Sequence, residues 1–374
     1  MASEYNHEEF VNQTMLTCIG NKRKLVKHIK QLVVELGQRL GKTKLQIVDG
    51  FSGSSVVSRE LSDICETLYV NDMEKYAYLM AKCFLVKPSA QQIERIEYHI
   101  QTMNHIADQN TNMIEGIIAT HYAPANTADI KEHERCFYTR ENALIIDTMR
   151  HYIETHVEED IQDYCLVPLL TKASIHTNTA GVFKGFYKGG NGVGKFGGEG
   201  ENALSRIMKA IRLDVPLWNT RDDYQCICSH NNINDFIQTI PDTIDVIYLD
   251  PPYNQHPYGS NYFMLNVIID NVEPRDISKV SGIPKHWNKS DYNKRELAIQ
   301  SMAELLHHAT QKSRYVLLSY NNEGLIRTED WAKLFEPYVV LERNIVYDTF
   351  KGCRNLKDRS NKVVEVIYVI EKKA

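Results

Sequence analysis

Three short apolar runs in this chain each stop at an acidic residue that opens a turn, and this arrangement restricts the fold more than any other feature. Leu45 to Val48 stops at Asp49, and Gly50, Ser52, Gly53, Ser54 and Ser55 follow before helical spacing resumes. The run in TLYVNDMEKYAYLMAKCF stops at Asp72 ahead of another helical stretch, and Ile244 to Leu249 stops at Asp250. Short aliphatic and β-branched runs read as strands, small residues supply turns, and apolar residues at three- and four-residue spacing read as helix. Strands alternating with helices predict an α/β fold on a doubly wound parallel sheet. YQCICS, SRYVLLSYNNEG and NKVVEVIYVIEKK add further strands.

Between about Pro88 and Leu170 the pattern turns to long helical stretches such as IERIEYHIQTMNHIADQ, which reads as an insertion. NTAGVFKGFYKGGNGVGKFGGEGENA follows, rich in glycine, aromatics and lysine, and suggests a hairpin or mobile loop. The expected division is a first part of the sheet domain at 1–85, the insertion at 86–205 and the remainder of the sheet domain at 206–374. With 43% hydrophobic and 24% charged residues the chain has the composition of a globular protein rather than a disordered one. It has neither a bilayer-length apolar run nor a signal-peptide core in its first thirty residues, so a cytosolic protein with no membrane partner is expected. The eight cysteines are scattered, only Cys226 and Cys228 lying close, and read as reduced thiols with no metal.

A net charge of -5 does not announce a nucleic-acid binder, but distribution outweighs the sum. Basic residues gather at Lys22 to Lys30 and Lys184 to Lys195 without acidic neighbours, and at Lys351 to Lys362 with Asp358 the one acid among them. Any one of these alone reads as a solvated face.

The sharpest motif is Asp250-Pro251-Pro252-Tyr253. Ligands of open parallel sheets bind beyond the carboxyl ends of the strands, where these residues fall. An adenine amine is a poor nucleophile because its lone pair is delocalised into the ring. A carboxylate at Asp250 and a carbonyl from the stiff Pro251-Pro252 segment can accept its hydrogen bonds and localise that pair toward a methyl donor. Tyr253 offers a flat face for an extruded base. From these four letters alone, a capped turn is the other reading.

Together with MLTCIGNKRKL, IVDGFSGSSVV and YVNDME, the motif IYLDPPY resembles the adenine-specific DNA methyltransferases of the D12 class, which includes the bacterial Dam enzyme and many restriction-modification methylases. The likeness runs from about Met15 to Tyr368, with the motifs in the order of the family's alpha group. It implies a Rossmann-like methyltransferase sheet with an inserted, mainly helical DNA-recognition region, and S-adenosyl-L-methionine as cofactor. It implies cofactor contacts from Cys18, Ile19, Gly20 and Lys22, from Asp49, Phe51 and Gly53, from Asp72 and Met73, and from Asn231, Asn232 and Asp250. Two positions depart from the pattern: Cys18 replaces the family's aromatic, and Asn231 and Asn232 stand where an acid is usual. The residues carry part of this reading unaided. Gly53 and the serines beside it admit a close backbone approach, Asp49 suits an ammonium group, and Asp72 suits ribose hydroxyls. A nicotinamide enzyme is disfavoured because Gly50 and Gly53, in the loop after the first apolar run, do not make G-x-G-x-x-G.

The duplex must release its target base, so phosphate and stacking contacts are expected. Lys184, Lys188 and Lys195, with Phe183, Phe186 and Tyr187 interleaved, lie where the family's DNA-reading hairpin lies. A flexible loop without DNA contacts is the alternative. Tyr258, Tyr262 and Tyr320 are candidates for closing over or stacking on the flipped base, and Lys351, Arg354 and Arg359 fall in a carboxy-terminal family segment near DNA. The expected activity is site-specific methylation of adenine N6 in double-stranded DNA, within a restriction-modification system whose endonuclease acts separately. Rival readings are a cytosine-N4 methyltransferase, where serine more often replaces the leading aspartate, an RNA or protein amide methyltransferase, and a non-catalytic recognition subunit.

Overall fold

A computed structural model describes residues 6–13, 16, 18, 20–348 and 362–373. Seven strands form one sheet: β1 Leu45–Asp49, β2 Cys65–Asn71, β3 Gln225–Ser229, β4 Ile244–Leu249, β5 Ser313–Asn321, β6 Tyr338–Asp348 and β7 Lys362–Lys372. Their order is 3-2-1-4-5-7-6. The first five are parallel, whereas β7 runs antiparallel to both β5 and β6. The sheet is therefore not wholly parallel, and β6 is a strand that the sequence reading did not anticipate.

Apolar residues alternate between two cores. Ile47, Leu68, Val246, Tyr248 and Leu317 face one side, and Val48, Ile247, Leu249, Val316 and Leu318 face the other. All six residues of β4 are buried, as a central strand covered on both faces requires. Burial of one such aliphatic side chain contributes roughly 1.5–3 kcal/mol, so Ile247→Ala should cost about 2–5 kcal/mol once the cavity it leaves is included.

The expected insertion is mainly helical, with helices Ala90–Gln109, Arg140–His156 and Gln162–Ile175. Ser89 and Gln92 cap the first reciprocally. Thr139 caps the second by accepting from the Asn142 amide at 3.1 Å. These helices have no separate core, because Ile96, Ile100, Met103, Ile146 and Leu169 belong to the cluster that covers β1, β2 and β4. The glycine-rich stretch after them is anchored as well. Phe183 and Phe196 are 2% and 7% exposed, and an antiparallel bridge joins Lys188 to Gly194. The buried Asn178 side chain ties the stretch down at both ends, donating to the Cys136 carbonyl at 2.8 Å and accepting from the Gly197 amide at 3.0 Å. A hairpin-like turn is present, held by core aromatics.

Candidate active site

The strand order reverses between β1 and β4, which are paired through Asp49 and Tyr248. At that switch point the carboxyl ends of neighbouring strands diverge and leave a crevice. Asp49 ends β1, while Asp72 and Asp250 directly follow β2 and β4, so all three acids of the sequence motifs reach its rim. The space in and above the cleft, open solvent included, is about 980 Å³. Cys18, Gly20, Lys22, Asp49, Phe51, Gly53, Asp72, Met73, Asn231, Asn232 and Asp250, drawn from widely separated stretches, all line it. Ile19 lies outside the described residues.

Two glycines shape the approach. Gly20 has φ +77, and a Cβ there would stand 3.1 Å from Tyr253 Oη and 3.2 Å from Tyr258 Oη. Gly53 has φ +50, a left-handed value that glycine adopts at least cost, and its amide donates to Asp72 Oδ2 at 2.7 Å. Asp72 Oδ1 accepts from the Glu74 amide at 2.8 Å. Asp72 thus fixes the glycine loop as well as lining the cleft.

Lys22 carries the only cationic side chain among the described residues lining the cleft, against the carboxylates of Asp49, Asp72, Glu74 and Asp250. Its Nζ lies 2.7 Å from Asp250 Oδ1 and 3.1 Å from Glu365 Oε1. Burial lowers the Lys22 pKa, but the two carboxylates outweigh it and hold the ammonium well above its ordinary value. Burial raises Asp250 to about 6, with Lys22 opposing the rise and Glu365 adding to it. Asp49 is pushed up to about 7, chiefly by burial. Ser58 Oγ donates to its Oδ2 at 2.5 Å, but its Oδ1 is buried with no hydrogen-bond partner among the described residues. Ser52 Oγ and Tyr248 Oη are in the same position, and both belong to cleft residues. Buried polar groups without partners are costly, so three on one cleft point to a polar ligand. The excess of carboxylates selects a cationic one. A dinucleotide pyrophosphate would meet the wrong charge.

The family of D12 class N6 adenine-specific DNA methyltransferases matches residues 19–330. The chain belongs to that family. Among its relatives, the type II methyltransferase M.NlaIII of Neisseria lactamica is 26% identical over 364 residues, covering 95% of this chain and 98% of the relative. M.CviAII of Paramecium bursaria Chlorella virus 1 is 29% identical over 327 residues, covering 86% and 87%. Modification methylase StsI of Streptococcus sanguinis is 25% identical over 374 residues, or 95% of this chain and 52% of that longer protein.

In this D12 methyltransferase the aromatic residues expected to handle the base separate into two groups. Tyr253 and Tyr258 flank Gly20 at the cleft, and Lys22 Nζ sits 5.7 Å from the Tyr253 ring centroid. Tyr262 and Tyr320 lie in the interior, 1% and 3% exposed. Tyr262 lies between Tyr76 and Tyr258, and Tyr320 packs edge-on against Trp331 while its hydroxyl accepts from the Ile326 amide at 3.1 Å. Neither presents a free face to a base; Tyr320 instead braces Tyr253 from the side. Phe183 and Phe186 likewise serve the core. Asn232 caps the helix Ile233–Thr239, its Oδ1 accepting from the Asn234 amide, while the Asn231 backbone is tied to the Asn71 side chain.

Lys184 and Lys188 are exposed, the former 3.4 Å from His256 Nδ1, shortly after Tyr253, and the latter over the Phe186 ring. Lys195 pairs with Glu201 at 3.2 Å, and Tyr187 is half-buried against Gly198. Lys351, Arg354 and Arg359 lie outside the described residues. Sequence reasoning missed Glu365 and a far wall of the cleft made by Asn288, Ser290, Tyr292 and Asn293, where Tyr292 meets Phe51 edge-on at 5.4 Å. No motif marks that polar stretch. Among the described residues no group of three or more His, Cys, Asp or Glu side chains could hold a metal, and no helix is long and apolar enough to cross a membrane.

Proposed function

We propose that this adenine-N6 DNA methyltransferase binds S-adenosyl-L-methionine in the cleft at the switch point and methylates a flipped-out adenine at a specific site in duplex DNA. The observation that carries the reading is the pairing, in one cleft, of an unpartnered Asp49 oxygen with a buried Asp250 at the end of β4. Asp49, Ser52 and Tyr248 have the hydrogen-bonding capacity for the amino-acid part of the cofactor, and Phe51 and Tyr292 the apolar surface for its base. Bound there, the cofactor supplies an electrophilic methyl group.

Asp250 accepts a hydrogen bond from the target amine, and a carbonyl of Pro251 or Pro252 accepts the second, which turns the nitrogen lone pair toward that methyl group. As the nitrogen takes the methyl group, the methyl–sulfur bond breaks, leaving S-adenosylhomocysteine, and the acidified amine proton is lost by way of Asp250, which need not be a strong base. Tyr253 stacks on the base, while Lys22 fixes Asp250 rather than the cofactor carboxylate. Lys184, Tyr187, Lys188 and Lys195 face the DNA backbone, with residues 86–205 as the recognition part of the chain. A separately acting endonuclease and a cytosolic setting complete the reading.

Base-resolution methylation sequencing of DNA from a methylation-free host expressing the chain tests it. N6-methyladenine within one short sequence is expected. Methylated cytosine alone, or no modification together with retained cofactor binding, would remove it in favour of the cytosine-N4 or recognition-subunit readings.

A further inference from the structure

Between the helices Phe263–Asp270 and Arg295–Lys312 the chain makes a long excursion whose last part lines the cleft. Residues 275–294 of it carry Arg275, Lys279, Lys285, Lys289 and Lys294 against Asp276 and Asp291. Glu273, the acid just before them, lies 2.5 Å from His121. All five basic residues are exposed, and among the described residues only Lys285 has an ion-pair partner, Asp276 at 3.6 Å. In a loose loop such a charge run reads as a solvated face. This one is held.

Residues 276–285 form a short hairpin, in which Ile277 bridges to Pro284 and the Ser278 amide donates to the Ile283 carbonyl at 2.9 Å. At its turn the buried Tyr122 donates its hydroxyl to the Gly282 carbonyl at 2.8 Å. Arg135 donates to the carbonyls of Ser278 at 3.2 Å and Lys279 at 3.3 Å. Gly282 has φ +68, and a Cβ there would stand 2.8 Å from the Tyr122 ring. The hairpin is thus fastened to the inserted region, with Lys279 and Val280 exposed at its tip. Farther along, Asn288 Nδ2 donates to the Met73 carbonyl at 3.0 Å and Asn293 Nδ2 to the Asn254 carbonyl at 2.7 Å. Asn288 and Ser290 line the cleft, and Lys289 between them lies 5.7 Å from the ring centroid of the half-buried Trp287.

The short helix Tyr258–Asn261 brings Tyr258 to the cleft just after the catalytic motif, and it touches two basic segments. Its Asn261 carbonyl accepts from the Phe183 amide at 2.7 Å, next to Lys184, while a Cβ on Gly259 would stand 3.0 Å from the Asn288 carbonyl, next to Lys289. Lysines from two separate parts of the chain therefore border the opening through which an extruded base must enter. Phosphates flanking that base come close to the mouth of the pocket, where each one neutralised by a lysine releases condensed counterions.

We propose that Lys279, Lys285 and Lys289 form a second DNA-backbone surface, which holds phosphates of the duplex at the mouth of the cleft from outside the 86–205 recognition region. This inference rests on the DNA-binding and base-flipping reading proposed above.

The test is the salt dependence of binding of a mixed-sequence DNA duplex to the full chain with cofactor present. With Lys279, Lys285 and Lys289 all changed to alanine, the logarithmic salt slope should fall by about two or three units, with cofactor affinity unchanged. The corresponding triple arginine variant should keep the parental slope, because a cation remains at each position. An unchanged slope in the alanine variant overturns the proposal. So does a reduced slope in the arginine variant, since a merely structural role would not follow the charge. Lys312, at the amino end of β5 and paired with Asp242, is the control, and an equal fall per lysine for Lys312→Ala would make the effect one of net charge and overturn the proposal too. The joint change of Lys184 and Lys188 to alanine, measured alongside, separates the two failures. A parental chain without salt-dependent DNA binding removes the DNA reading itself, whereas a slope lowered by the Lys184 and Lys188 changes but not by the triple alanine variant removes only this second surface.

Discussion

In the cleft, four carboxylates and one lysine are crowded together, and Lys22 and Asp49 are almost wholly enclosed. Along 184–195, by contrast, lysines project into solvent, and the ion pair of Lys195 with Glu201 joins side chains 40% and 53% exposed. The two regions teach different things about charge. A buried carboxylate must be satisfied, so an oxygen left over, such as Asp49 Oδ1, carries information about a ligand. An exposed lysine is satisfied by water, and only its field, screened within about 10 Å at moderate salt, reports on a partner.

The largest effect that would break the contrast is at Asp250. Asp250→Ala should lower single-turnover methyl transfer by on the order of a hundredfold or more, with cofactor and DNA still bound. A parental rate would make Asp250 a turn cap and the cleft merely a well-buried crevice.

Asp49→Ala comes next. Loss of a hydrogen bond to a charged group should weaken cofactor binding by roughly ten- to a hundredfold in calorimetry. The parental protein should show a pH signature at the same site. With Asp49 raised to about 7, a cationic ligand must first displace its proton, so affinity should fall as pH drops below about 7. Stability of the free protein should run the opposite way. A carboxyl whose folded pKa is raised stabilises the fold below its unfolded pKa, and that contribution is lost as pH rises through about 7. Affinity and stability with the same pH trend would mean that Asp49 does not meet the cation.

For the exposed region smaller effects are expected. Changing Lys184 and Lys188 together to alanine should weaken DNA binding and reduce its logarithmic salt slope by about one or two units, leaving cofactor affinity intact. An unaltered slope would leave that loop without phosphate contacts. The smallest change is expected in folding stability for Lys195→Ala, where an exposed ion pair is worth less than about 1 kcal/mol in denaturant titration. A larger loss would show that the loop is held by charge as well as by Phe183, Phe196 and Asn178.

Much of the cleft was legible because each of its acids ends an apolar run, and the end of a strand at a sheet edge is a place as well as a pattern. Asp49, Asp72 and Asp250 can be placed in this way from the sequence alone. Glu365 cannot. It lies within the near-continuous apolar run of NKVVEVIYVIEKK, where nothing marks the side it faces, and only the pairing of β7 with β5 shows that it points inward. Tyr262 and Tyr320 show the converse: an aromatic near a motif suits stacking and core equally, and only the structure reveals that both pack inward, against Tyr76 and Trp331. The winding of β1 through β5 was readable from alternation, but β6 was overlooked. Its YVVLERNIVYD mixes apolar and charged residues without clean alternation, and it lies at the open edge.

Because Lys22 finds its partners just after β4 and in β7, an early segment of this sequence depends on one made much later. A nascent chain that has delivered its glycine loop, helical region and Asp250 still lacks the strand bearing Glu365, and its amino-terminal lysine has half its final environment. Contacts so distant in sequence form late and slowly. The arrangement around Asp250 is therefore completed only once β7 is in place, and a chain truncated before β7 can retain the glycine loop and the cleft without it.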